Sequence, residues 1–177
     1  MRAIKLFLLL LISFNFFGCK EDAKVVEDTN VEPVITTYYL IRHAEKDRND
    51  PENLDPELNQ DGLGRAIRWE RVFSEIGLNE IYSTDFERTM MTAAPTAVNQ
   101  DLIVKNYDPA TVNIEEFKTA NLGLNVLIVG HSNTTPEFVN KLIGEEKYSA
   151  MDDYDNSSLF IVRIIDGKAT DIRLKMD

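Results

Sequence analysis

Thr36-Thr37-Tyr38-Tyr39-Leu40-Ile41-Arg42-His43-Ala44-Glu45 decides how the chain is read. A run rich in β-branched and aromatic residues stops abruptly at a guanidinium beside an imidazole. That is the pattern of a strand whose carboxyl edge carries two phosphate-seeking groups. Open α/β sheets bind ligands at that edge. Two further segments have the same form. Ile81-Tyr82-Ser83-Thr84-Asp85-Phe86-Glu87-Arg88 is a short strand running into a helix, with Asp85 as its expected cap and Arg88 in its first turn. Asn125-Val126-Leu127-Ile128-Val129-Gly130-His131 reads as a buried strand broken by Gly130, ending in the second of two histidines.

Outward from these segments the pattern alternates. A polar stretch with Pro51 and Pro56 is a loop, and Asp61 is the expected cap of a helix reaching Ile76. Ala66, Trp69, Val72, Phe73 and Ile76 share its apolar stripe, while Arg65, Arg68, Glu70, Arg71 and Glu75 are expected to face water. Further elements follow: strand 81–84, helix 86–98, strand 102–105, helix 112–120, strand 126–129 and helix 135–143. Ser158–Ile165 and Thr170–Lys175 flank Asp166-Gly167, a hairpin signal. The expected fold is α/β: a three-layer α/β/α sandwich around a mostly parallel, mixed sheet.

Residues 1–18 carry Arg2 and Lys5, then the apolar run Leu6 to Phe17, then Gly18 before Cys19. This reads as a lipoprotein signal peptide ending at a lipid-acceptor cysteine, with an uncleaved N-terminal anchor as the other reading. The run falls short of the roughly 20 apolar residues of a comfortable span. Residues 19–35 are then the lipidated Cys19 and an acidic spacer with few large apolar groups, and 36–177 are one domain. The expected location is outside the cytoplasm, tethered to a membrane of the cell envelope on a periplasmic or cell-surface face. The chain's net charge is −11, and loss of residues 1–18 removes Arg2 and Lys5 and no acid, leaving −13. Such a surface excludes nucleic acid as a partner and repels phosphate esters at long range, so binding must rest on local cations.

Arg42-His43-Ala44-Glu45, Ser83 to Ala93 and Gly130-His131-Ser132 resemble the histidine phosphatase superfamily, the phosphoglycerate mutase-like fold, in a short branch-1 type. They match its R-H-G/A-E, S-x-x-x-x-R-T-x-x-T-A and G-H-S/G motifs. Leu58 to Ala66 is similar to its L-T-x-x-G-x-x-Q-A helix start, with Asn59 and Arg65 where Thr and Gln are usual. The resemblance implies a phosphate pocket formed by Arg42, His43, Arg88 and His131.

Phosphoryl transfer needs a nucleophile, cations for the equatorial oxygens and a proton for the leaving atom. His43 is the candidate nucleophile, kept neutral by Arg42 and Arg88, and attack would leave a phosphohistidine for water to hydrolyse. Arg42, Arg88 and His131 would grip the phosphoryl oxygens. Glu45 has two readings, a pocket carboxylate or a loop partner for Arg42. Ser132 and Asn133 are either donors to substrate or helix caps. The proton donor expected by placement is Asp108, with Glu115 and Glu116 as rivals, a turn role as its alternative, and no donor at all as a further reading. Substrate contacts are expected from Asp47–Asn59 and Tyr148–Asp155.

No metal or cofactor is called for. Reading His43-Ala44-Glu45 as the His-x-Glu of a zinc deaminase also requires Cys-x-x-Cys, and Cys19 is the sole cysteine. The shortness of Thr89 to Gly130 argues against a mutase, which must close a lid over its intermediate. The expected activity is a metal-independent phosphohydrolase, a phosphomonoesterase or phosphohistidine phosphatase acting on a phosphorylated small molecule or phosphoprotein. The alternative is a catalytically inactive phosphate- or ligand-binding lipoprotein with the same pocket.

Overall fold

The computed structural model describes residues 32–176. The expected signal segment, Cys19 and residues 19–31 of the expected spacer lie outside the described residues. From residue 32 onward the chain forms β1 (Ile35–Arg42), α1 (Gln60–Phe73), β2 (Glu80–Ser83), α2 (Glu87–Gln100), β3 (Val104–Asn106), α3 (Ile114–Ala120), β4 (Asn125–Gly130), α4 (Thr134–Ile143), β5 (Ser158–Ile165) and β6 (Lys168–Lys175). The six strands make one sheet in the order β3-β2-β4-β1-β5-β6. The first four are mutually parallel; β5 runs antiparallel to β1, and β6 to β5. The mixed α/β sandwich is therefore as the alternation and the Asp166-Gly167 signal predict. At that turn both residues have positive φ, 48° and 79°, as a two-residue hairpin requires.

Strand composition explains position. β4, at the centre of the parallel set, buries Val126, Leu127, Ile128 and Val129 in succession because helices cover both of its faces. One face packs Ile41, Ile81, Leu127, Val129 and Leu159 against Trp69 and Phe73 of α1 and Ala93 and Ala97 of α2. The other packs Tyr38, Leu40, Val126, Ile128, Phe160 and Val162 against Phe117 of α3 and Phe138, Val139 and Leu142 of α4. Fully burying a side chain such as Phe73 contributes roughly 1.5–3 kcal/mol. β6 is an edge strand, mostly exposed and studded with Lys168, Asp171, Arg173 and Lys175, charges that discourage further pairing.

The helix starts depart from the sequence expectation. Asn59, not Asp61, caps α1: its side-chain oxygen accepts from Gly62 N at 2.9 Å, and Asp61 lies in the first turn, where its charge suits the helix dipole. The helix ends at Phe73, so Ile76 falls beyond it. Asp85 does not cap α2. Phe86 holds the N-cap position without a side-chain bond, and the carboxylate of Asp55 accepts from Glu87 N at 3.1 and 3.3 Å, while Asp85 accepts from Asn106. A remote loop thus supplies the cap that the local sequence seemed to offer.

α1 lies hard against the turn after β1. Glu45 O accepts from Asn59 N at 2.9 Å, and a Cβ on Gly62 would run into the same Glu45 carbonyl. Gly62→Ala should therefore overpack this contact and cost about 1–3 kcal/mol of stability, measured by denaturant unfolding.

Candidate active site

β2, β4 and β1 are neighbours and parallel, so their carboxyl ends meet at one edge. The ladder runs one step past β1, with His43 N donating to Gly130 O at 2.9 Å, and Asn156 Nδ2 donates to His43 O at 2.7 Å. His131 follows β4 directly, and Arg88 stands in the first turn of α2 after β2. The two imidazole rings lie 5.5 Å apart at 64°, and Arg42, His43, Arg88 and His131 line one open cleft of about 440 Å³. Lys46, Thr84, Phe86, Asp108, Ser132, Asn133 and Asp153 share its walls.

His43 is 3% exposed. Burial is the main force lowering its pKa from the ordinary 6.5 to about 3; the Ala44 carbonyl opposes the shift, and the charges of Arg42, His131 and Arg88 assist it. Desolvation thus outweighs the arginines expected to keep this ring neutral. Nδ1 lies 2.7 Å from Ala44 O. A carbonyl only accepts, so the neutral ring carries its proton on Nδ1 and Nε2 keeps its lone pair. Ala44 is itself held by Thr92, whose Oγ1 accepts from Ala44 N at 2.9 Å and donates to Arg88 O at 2.7 Å, tying the imidazole turn to α2.

The two arginines are held from loops. Arg42, 2% exposed, donates Nη1 to Asp152 O at 2.9 Å and Nη2 to Asp153 at 2.6 Å. Asp153 also binds Arg48 at 2.7 Å, and these hydrogen bonds and charges, Arg48 first, hold its carboxyl below the usual range. Arg88 pairs with Asp55 at 3.1 Å and lies 4.4 Å over the Phe86 ring, whose plane meets His131 edge-on at 5.0 Å. In both arginines Nε is buried without a partner. A buried N–H without an acceptor is costly, and the two guanidiniums that carry these donors both line the cleft, an arrangement suited to an oxyanion.

Other expected residues fall differently. Glu45 does not pair with Arg42: both of its oxygens take Arg65 Nε, at 2.8 and 3.0 Å, so Arg65 is a partner of the turn rather than a solvated side chain. Asp108 lines the cleft, but its carboxylate accepts from Ala110 N at 2.9 Å and Thr111 Oγ1 at 3.1 Å. Glu115 and Glu116 sit in the first turn of α3, outside the residues lining the cleft. Ser132 and Asn133 line it, and Asn133 makes no capping bond at the start of α4; Thr134 Oγ1 instead accepts from His131 N at 3.0 Å. Asp55, Asp153, Thr84, Lys46 and Phe86 were not singled out from the sequence. The first two lie in the loops expected to touch substrate, yet nothing local distinguishes them from neighbouring aspartates. Among the described residues no group of three or more His, Cys, Asp or Glu is placed to hold a metal.

Burial also lowers the His131 pKa, to about 4, assisted by Arg88 and Arg42 and opposed by Asp55. Unfolded histidines titrate near 6.5, so between that value and the folded ones the unfolded chain binds more protons. Stability should therefore be fullest above pH ~6.5 and fall as pH is lowered toward ~4.5, before carboxylates titrate. Denaturant unfolding across that window should show the decline, and His43→Gln combined with His131→Gln should flatten it.

Residues 38–110 match the family model of the histidine phosphatase superfamily (branch 1). No curated protein is recognisably similar in sequence. Solved structures share the fold at low identity. A mycobacterial glucosyl-3-phosphoglycerate phosphatase has 14% identity and a TM-score of 0.63, over 81% of this chain and 100% of its own. The protein histidine phosphatase SixA complexed with tungstate has 12% and 0.63, over 78% and 96%. Phosphoglycerate mutase from Bacillus anthracis has 15% and 0.60, over 80% and 93%. The chain thus has the phosphoglycerate mutase-like fold, and the stretch holding Arg42, His43 and Arg88 is the part similar to the histidine phosphatase superfamily.

Proposed function

We propose that the protein is a phosphohydrolase of the histidine phosphatase superfamily that works without a metal through a phosphohistidine on His43. The observation that carries this is a buried neutral imidazole with Nε2 unprotonated, beside two guanidinium Nε donors that lack acceptors. Nε2 attacks phosphorus as the bond to the leaving group breaks, and water later attacks the phosphohistidine and releases inorganic phosphate. Arg42 and Arg88 bind the oxygens on which charge accumulates.

The two carboxylates in the cleft wall are both occupied. Asp153 is ionised between two arginines, and Asp108 accepts from its own turn. Both carboxylates are engaged by protein donors, so the reading favours substrates whose leaving group departs with little help: phosphoramidates such as phosphohistidine, acyl phosphates or aryl phosphates. An inactive binding lipoprotein with the same pocket is the competing outcome.

Aryl phosphate hydrolysis by the purified protein in chelator should persist and fall by at least about 100-fold in His43→Ala. Rates should rise steeply as the leaving phenol becomes more acidic. Saturable phosphate binding with no turnover would support the binding protein instead. We also propose export and lipidation at Cys19, based on the sequence of residues 1–19. Metabolic labelling with a fatty acid should mark the wild type and not Cys19→Ala.

A further inference from the structure

His131 spends one ring nitrogen on a contact that the resemblance did not supply. Its Nε2 lies 2.9 Å from Thr84 Oγ1. Thr84 Oγ1 lies 3.1 Å from Thr89 Oγ1, which is 2.8 Å from both Thr84 O and Phe86 O. Thr84 and Thr89 are 2% and 0% exposed, so their hydroxyls are largely committed to these protein partners. With the Thr84–Thr89 contact and a Thr89–carbonyl contact both taken as hydrogen bonds, the protons along this relay are fixed. Thr89 has a single hydroxyl proton, and the neighbouring carbonyl oxygens can only accept it. Thr84 then donates to Thr89 Oγ1, and what remains at Thr84 is a lone pair, which must receive a proton from His131 Nε2.

We propose that Thr84 is a positioning residue for this cleft: it fixes His131 as the Nε2–H tautomer, so that Nδ1 is a bare lone pair and donates to a bound oxyanion only after the ring takes up a proton. The inference rests on reading the cleft as a phosphoryl site. One proton moves from solvent to Nδ1 as the anion enters and returns when it leaves, with no other bond made or broken.

The charges around the ring make this coupling strong. Arg42 at the end of β1, Lys46 in the following turn and Arg88 on α2 all oppose a positive imidazole in the cleft, and the neighbouring His43 is neutral. Asp55 favours the positive ring, and Asp108 and Asp153 stand in the same walls. An entering dianion reverses the balance by supplying countercharge within the cleft. A ring free to carry its proton on Nδ1 would donate to the anion while neutral and need no uptake. The Thr84 contact removes that option.

The chain has two histidines, so ring-nitrogen NMR of isotopically labelled protein resolves both rings without ambiguity. Tungstate, a tetrahedral dianion that does not titrate near neutrality, is the probe. In the free protein His131 should show Nε2–H and an unprotonated Nδ1, and with tungstate both nitrogens should be protonated. The tungstate Kd, from calorimetry, should rise about tenfold per pH unit above neutrality, the slope for one proton taken up. Thr84→Val should reduce that rise to about twofold or less, and Thr84→Ser should restore it. An Nδ1–H ring in the free wild type, or tungstate bound to a neutral His131, would overturn the inference while leaving the phosphohydrolase reading intact. Tungstate bound with the predicted protonation but no turnover would do the reverse, and failure to bind tungstate would sink both.

Discussion

A guanidinium buried in the body of the protein is the constraint on which the site depends. Arg42 ends the central strand β1, and at that depth an unpaired charge would be costly. The fold answers by bringing back a segment more than a hundred residues later, so that a carboxylate and a carbonyl of the 152–153 turn meet the Nη atoms. That return also delivers Asn156 to the His43 carbonyl and Asp155 to Ser158 and Arg173. One buried charge thus anchors the 152–153 turn of the loop between α4 and β5.

The parts of this arrangement that could be read from sequence are those set by period and by punctuation. β4 announces itself as an unbroken apolar run, and the closing hairpin by Asp166-Gly167, because burial on two faces and positive φ leave local marks. The meeting of Arg42, His43 and His131 follows once β1 and β4 are neighbours. What could not be read was partnership. Asp55 and Asp153 are two among 30 acidic residues, and only the tertiary path distinguishes them. The same limit misassigned Asp85, which sits where a cap belongs but loses the position to Asp55, and Arg65, whose helical position suggested solvent.

The electrostatics of the cleft work in opposite directions for its two kinds of cation. Burial drives protons off the imidazoles, while the guanidinium charges are held in place by carboxylates. The proposed phosphoryl transfer would need this division, since a protonated nucleophile is inert and an uncharged grip is weak. The separation arises from ordinary packing: His43 is buried against the Ala44 turn and the His131 ring.

The aspartates on the two arginines bear on anion binding as well as on folding. Each holds the Nη side of a guanidinium and leaves Nε turned elsewhere, so an arriving anion meets side chains whose rotational freedom was surrendered during folding. Immobilising a long side chain at the moment of binding costs about 0.5–1.5 kcal/mol, and here that loss has already been taken.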